Sequence, residues 1–311
     1  MKKVLALAAF ATAALATSAT AGVAALSGTV TADGSSTLGP YTTAAAEGYQ
    51  NKNRSARVTV GISGTGGGFE RFCRGETDLS NASRPMKNSE AIHCRDAGVK
   101  WVAFTVANDG LSIVVNKQNT WANCLTVAEL RKIWEPSSKL SNWSQVREGF
   151  PNVSLKLFGA GTDSGTFDYF TEAINGKAKA SRSDYLATED DNITVRGVEG
   201  ERGGLGYFGL SYYEENKDKL KVLAVDQGKG QGCVTPSIAT VQSNKYRPLS
   251  RPLFIYAKRA SFRRPVVAGF LGYILNNQKA IATKADFVSL TDKQLKKARY
   301  QYRQALKANS R

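Results

Sequence analysis

Hydroxyl and amide donors gather in three glycine-punctuated turns. The run Gly159-Ala-Gly-Thr-Asp-Ser-Gly-Thr166 stands between a strand-like segment, 153–158, and a helix-like one, 167–175. Its amides and hydroxyls therefore converge on whatever occupies that helix N-terminus, a natural seat for an anion. Asp33-Gly-Ser-Ser-Thr-Leu38 ahead of an Ala-rich helix and Ser63-Gly-Thr-Gly-Gly-Gly68 after a strand-like stretch, 58–62, have the same character. Neither carries the Gly-Lys-Ser/Thr ending of a nucleotide P-loop. Three such turns without a nucleotide motif predict a small ligand held by many short contacts.

The elements that must position these turns alternate as in an α/β protein. Strands are expected at 58–62, 111–115, 153–158, 220–225 and 253–256, and helices at 42–50, 68–74, 127–134, 167–175 and 266–276. Thr126 with Glu129 three residues on forms a capping box that sets the start of the third helix. No repeat or low-complexity linker interrupts the pattern, and 228–233 reads as a loop.

Lys2 and Lys3 precede an apolar and Ala/Thr stretch, 4–17, followed by Ala19-Thr20-Ala21, which reads as a secretory signal peptide over 1–21. A membrane anchor needs about 20 apolar residues and a stop signal, so a soluble, exported protein of 290 residues is expected, with no Cys near the cleavage point to take a lipid. Cys73, Cys94, Cys124 and Cys233 lack the spacing of zinc or thioredoxin-like sites. Two disulfides are expected in an oxidising compartment. Of the three pairings we prefer Cys73 with Cys94, closing a short loop, and Cys124 with Cys233, tying distant parts; free buried thiols and metal binding rank below, since His93 is the single His. No metal or cofactor is expected.

That length is near the size at which one core splits into two. The formal charge, +16 for the whole chain and +14 without Lys2 and Lys3, favours acidic ligands or surfaces. Much of it crowds the tail, including Lys293, Lys296, Lys297, Arg299, Arg303 and Lys307, which reads as a solvated helix face. No nucleic-acid-binding motif accompanies it.

In combination, Asp33-Gly-Ser-Ser-Thr, the stretch from Gly64 to Pro85 containing Thr-Gly-Gly-Gly-Phe-Glu-Arg-Phe and Ser-Asn-Ala-Ser-Arg-Pro, Gly161-Thr-Asp-Ser-Gly-Thr-Phe-Asp-Tyr-Phe170 and Gly203-Gly-Leu-Gly-Tyr-Phe208 make the chain resemble the periplasmic phosphate-binding proteins of high-affinity phosphate ABC transporters. The resemblance implies a two-lobed, class II-like periplasmic-binding-protein fold of α/β type. Each lobe would be a mixed sheet flanked by helices, with the ligand in the interlobe cleft. Lobe I would comprise 22–107 plus 252–311 and lobe II 108–251, with crossings near 104–109 and 250–254. This places each preferred disulfide within one lobe. It also implies capture of inorganic phosphate in the periplasm by a monomer, delivery to an inner-membrane ABC permease, no nucleic-acid partner and no catalysis.

By the same resemblance Thr37 and Leu38 form the first contact turn, Thr65 the second, and Ser164, Gly165 and Thr166 the third. A dry phosphate site needs many N–H and O–H donors, an acceptor for the ligand's proton and limited positive charge. Ser36, Thr37, Leu38, Thr65, Gly66, Ser83 and Arg84 would serve from one side, and Asp163, Ser164, Gly165 and Thr166 from the other. In the best-known branch an Asp accepts the proton and an Arg supplies charge; those positions fall at Ser83 and near Ala160 here. Arg84 and Asp163 would take over across the cleft. The plainer readings are helix caps for Ser36 and Ser164, a lobe-surface ion pair for Arg84 and local amide bonding for Asp163. Asp78, Phe69 and Tyr207 are expected in structural roles.

If Asp163 faces away from the ligand, sulfate, arsenate or another tetrahedral oxyanion gains ground over phosphate, because an acceptor repels the fully ionised anion. A secreted phosphate sensor or scaffold is a further alternative. A hydrolase is disfavoured: in Gly161-Thr-Asp-Ser-Gly165 the Ser stands one place late for a nucleophile elbow, and His93 beside Cys94 is the lone imidazole.

Overall fold

The apolar segments fold as follows in a computed structural model of the chain, which describes residues 26–309 except 163 and 189. The expected signal peptide, 1–21, and Asp163 lie outside the described residues. The first part holds β1 (Gly28–Gly34), α1 (Gly39–Lys52), β2 (Ala56–Val60), α2 (Gly64–Cys73), β3 (Leu79–Ala82), α3 (Asn88–Asp96) and β4 (Trp101–Asn116). It continues through β5 (Cys124–Thr126), α4 (Val127–Trp134), β6 (Lys156–Ala160), α5 (Gly165–Asn175), β7 (Leu186–Thr188), α6 (Asp191–Gly200), β8 (Gly204–Gly209) and α7 (Leu210–Asn216). Then follow β9 (Leu220–Asp226), β10 (Cys233–Val234), α8 (Ile238–Gln242), β11 (Ser250–Lys258), α9 (Pro265–Lys284) and α10 (Asp292–Asn309).

The capping box starts α4 as expected: the Glu129 amide donates to Thr126 Oγ1 at 3.1 Å and the Thr126 amide to Glu129 Oε2 at 2.8 Å. Several expected elements moved, among them the strand expected at 111–115, which begins at Trp101. The strand expected at 153–158 begins at Lys156, where parallel pairing with β8 starts opposite Gly204; Ser154 makes only an isolated bridge to Asn142. The helix expected at 68–74 begins at Gly64, so the glycine run is helical rather than loop. Close approach explains it, since a Cβ on Gly68 would stand 2.4 Å from the Cα of Gly34. The helix expected at 266–276 runs on to Lys284 past a non-helical Asn277. The basic tail is helical, with Ala298 and Ala305 buried on its inner face.

Strands run in the order β2-β1-β3-β11-β4-β8-β6-β7, with β9 also on β4. β4 joins the two parts of this sheet: Trp101 to Gly110 pair antiparallel with β11, and Leu111 to Asn116 pair with β8 and β9. On one side β1 pairs parallel with β2 and β3, and on the other β6 pairs parallel with β7 and β8. Each part has its own core. Tyr41, Phe104, Ile255 and Phe270 centre one, Trp134, Trp143, Phe170 and Tyr207 the other. Val288, on the loop between α9 and α10, packs in the second core although its neighbour Phe287 packs on the first.

Both preferred disulfides are present, Cys73–Cys94 and Cys124–Cys233, spanning 21 and 109 positions. Among the described residues no helix is long and apolar enough to cross a membrane, and no cluster of His, Cys, Asp and Glu has the makings of a metal site.

Candidate functional site

In open α/β sheets ligands gather beyond the carboxyl ends of parallel strands. The turns singled out from sequence leave such ends: Ser35 to Thr37 follow β1, Ser63 to Thr65 follow β2, Ser83 and Arg84 follow β3, and Ser164 follows β6. Asp33, buried at the end of β1, ties the first two turns together. Its Oδ1 accepts from the amides of Gly34 at 2.7 Å and Ser63 at 3.1 Å, and its Oδ2 pairs with Arg71. Thr65 and Ser83 share a hydroxyl contact at 3.1 Å, which locks the second turn to the end of β3.

These turns enclose a cavity of about 250 Å³. Ser36, Thr37, Thr65, Gly66, Ser83 and Arg84, all expected from sequence, line it. The third turn takes a different position. Ser164 caps α5, accepting from the Thr166 amide at 3.1 Å, while Gly165 presses against the backbone of Thr37, and none of the three lines the cavity. Leu38 is fully buried in the first core and also stands off the lining, its amide directed at Ser35 Oγ at 3.4 Å.

The next turns of α5 face the cavity instead, through Asp168, Tyr169 and Glu172. Asp168 bridges the two halves: its Oδ2 accepts from Ser36 Oγ at 3.1 Å. Its Oδ1 is buried without a hydrogen-bond partner among the described residues. Leaving such an oxygen unsatisfied is costly.

Positive charge comes from Arg84, Lys87 and Arg251. Arg84 is gripped by Glu90, Nη1 to Oε2 at 2.8 Å and Nη2 to Oε1 at 2.7 Å, and lies over the Phe69 ring. Hydrogen bonding to Glu90 raises its guanidinium pKa further against burial. Burial works against the Glu90 charge, but Arg84 and the Lys87 amide hold its carboxyl below the ordinary range. The ion-pair reading of Arg84 and its place in the cavity wall thus coexist.

Arg251 sits at the start of β11, opposite Asp109 on β4. Its Nη2 donates to Thr37 Oγ1 at 2.9 Å, its Nε reaches Asp109 Oδ2 at 3.4 Å, and its guanidinium lies 3.3 Å from the centroid of Tyr169. Burial pushes the Asp109 carboxyl above its usual range, against the pull of Arg251. Burial likewise raises Tyr169, whose hydroxyl donates to the Pro248 carbonyl at 2.7 Å. Thr37 Oγ1 in turn donates to the Gly165 carbonyl at 3.1 Å, so Arg251, Thr37 and Gly165 form a chain that links the start of β11 to the start of α5.

The sequence reading missed Arg251, Asp168, Tyr169, Lys87 and Glu172. Asp168, Tyr169 and Glu172 had a faint signal. Positions 165, 168, 169 and 172 share one helix face, so a helix whose first turn meets a ligand aims these next. Arg251 lies in the segment expected to cross between lobes, where a cation inside an apolar strand needs a partner. The structural expectations for Asp78 and the aromatics match their surroundings: Asp78 accepts from Arg264 and Ser261 away from the cavity, and Tyr207 stacks on Phe170.

The sequence profile of the PBP superfamily domain matches residues 19–278. Protein SphX of Synechococcus elongatus is 48% identical over 276 residues, covering 88% of this chain and 81% of SphX. Phosphate-binding protein PstS of Staphylococcus saprophyticus is 38% identical over 269 residues, covering 86% of this chain and 82% of PstS. Among solved structures, a possible phosphate binding protein from Planctomyces limnophilus superposes with a TM-score of 0.87 at 48% identity, covering 90% of this chain and 99% of that one.

Proposed function

The chain belongs to the PBP superfamily and to the family of the phosphate-binding proteins PstS, and on that premise we propose that it captures inorganic phosphate and passes it unchanged to a membrane ABC permease. The observation that carries this is the cavity between the strand ends, whose lining brings Ser and Thr residues, Asp168 and two guanidinium groups around one space. The backbone amides of Ser36, Thr37 and Gly66 and one hydroxyl proton of the Thr65–Ser83 pair would take the anionic oxygens, with Arg84 and Arg251 supplying charge-assisted bonds. Asp168 Oδ1 would accept the ligand's remaining proton. Ser164, Gly165 and Thr166 act through their position against Thr37 rather than as an open donor set.

The working units are two lobes, about 22–107 with 252–311 and 108–251, hinged on β4 and β11. An anion that touches both favours the closed arrangement only through that double contact. Export to the periplasm, expected from the N-terminal residues, and a monomer, expected from the resemblance, fit this role.

Calorimetric titration of phosphate and sulfate into phosphate-stripped protein, on each side of phosphate's second pKa, tests the reading. Tight phosphate binding with no sulfate heat is expected at both pH values. Equal or preferential sulfate binding would overturn the assignment of Asp168 and of phosphate together.

A further inference from the structure

The cavity lined by Thr37, Thr65 and Arg84 is larger than a bare phosphate requires. Its volume of about 250 Å³ corresponds to roughly eight waters at about 30 Å³ each, whereas phosphate has one phosphorus and four oxygens. A second cavity, also about 250 Å³, meets the first along Ser83, Arg84, Tyr169, Glu172 and Arg251. Beyond that shared wall its lining turns to Pro85, Ala173, Pro248 and Pro252. These residues add carbon surface and no side-chain donor, so they offer nothing to a phosphate oxygen. Glu172, exposed at the junction, disfavours a second anionic group there and favours a cationic one.

We propose that the site also takes phosphonates and phosphate monoesters bearing a short uncharged or cationic substituent, with the substituent in the proline-lined cavity. This rests on the anion-site reading above. Replacing one P–O by P–C or by an ester oxygen leaves three oxygens, of which the monoanion keeps one protonated for Asp168 and offers two to the amides and guanidinium groups. The carbon chain then leaves toward Ala173 and the prolines, and a terminal ammonium meets Glu172.

The experiment is calorimetry, at a pH below the second ionisation of each ligand, with inorganic phosphate, ethylphosphonate and 2-aminoethylphosphonate on the wild-type chain and on Ala173→Leu, whose longer side chain fills the second cavity. Both phosphonates are expected to bind the wild type within about a hundredfold of phosphate, the amino compound more tightly. Ala173→Leu is expected to weaken both at least tenfold and leave phosphate unchanged. Glu172→Gln, an exposed change that does not threaten folding, is expected to erase the preference for the amino compound over the ethyl one. Phosphate binding without phosphonate binding would sink the proposal, as would an Ala173→Leu effect of equal size on all three ligands or an amino preference untouched by Glu172→Gln. Failure of every anion to bind the wild type would instead overturn the anion site itself.

Discussion

Gly165 lies against Thr37 so closely that a Cβ on Gly165 would stand 2.5 Å from both the amide nitrogen and the Cα of Thr37. The two residues come from different turns, one after β1 and one at the start of α5, and Thr37 Oγ1 donates back to the Gly165 carbonyl. Backbone thus meets backbone where the two halves close, and no side-chain rotation can make room there. Glycine at 165 is a condition of this contact.

Gly165→Ala should therefore hold the halves apart. Phosphate affinity is expected to fall at least tenfold, and small-angle scattering at saturating phosphate should give a larger radius of gyration than the wild type. A variant as compact as the wild type under phosphate would show that the contact is not needed for closure.

Arg251 bonds Thr37 and Asp109 and lies over Tyr169 at once. Its planar fork serves geometries that an ammonium cannot reproduce. Both Arg251→Ala and Arg251→Lys should weaken phosphate by about 1–3 kcal/mol, the worth of a charge-assisted bond and the cost of stranding its partner. Full recovery in the Lys variant, measured by calorimetry, would reduce Arg251 to a point charge.

Among the described residues, Asp168 is the carboxylate with a buried oxygen that has no hydrogen-bond partner. Asp168→Asn turns an acceptor into a group that can also donate. Phosphate binding should weaken by about 1–3 kcal/mol while sulfate binding improves, narrowing the ratio of their dissociation constants. Unchanged discrimination would place the proton acceptor elsewhere.

Glu90 links pH to stability. Its folded-state pKa is depressed, so its contribution is present above the unfolded value, about 4.3, and is lost as pH falls through the lower folded value. The melting temperature should drop as pH is lowered from about 5 toward 3, and Glu90→Gln should flatten part of that drop. An identical pH profile for the variant would remove Glu90 from the acid transition.

The disulfides should differ in weight. Cys124–Cys233 closes a loop of 109 positions and Cys73–Cys94 one of 21. In the chain-entropy account the longer loop contributes about 1–1.5 kcal/mol more. Urea unfolding of the two double Cys→Ala variants should order them accordingly.

The sequence alone determined what depends on local chemistry. Thr126 and Glu129 mark a helix start because a capping box is closed by neighbours three residues apart. The glycine and hydroxyl runs at 33–38, 63–68 and 159–166 mark turns after strands, and their combination identified the family. Strands β1 and β3 were not legible, since one is built largely of small residues and the other has only four, all buried. Their identity as strands comes from long-range pairing with each other and with β2 and β11. The walls of the site were likewise a tertiary matter. Arg251 is 214 positions from Thr37 and Asp168 is 132 from Ser36, and no local pattern reports contacts at such separations. Only the folding of β4 and β11 between the two cores decides that a strand arginine and the second turn of a helix, rather than that helix's first amides, line the anion cavity.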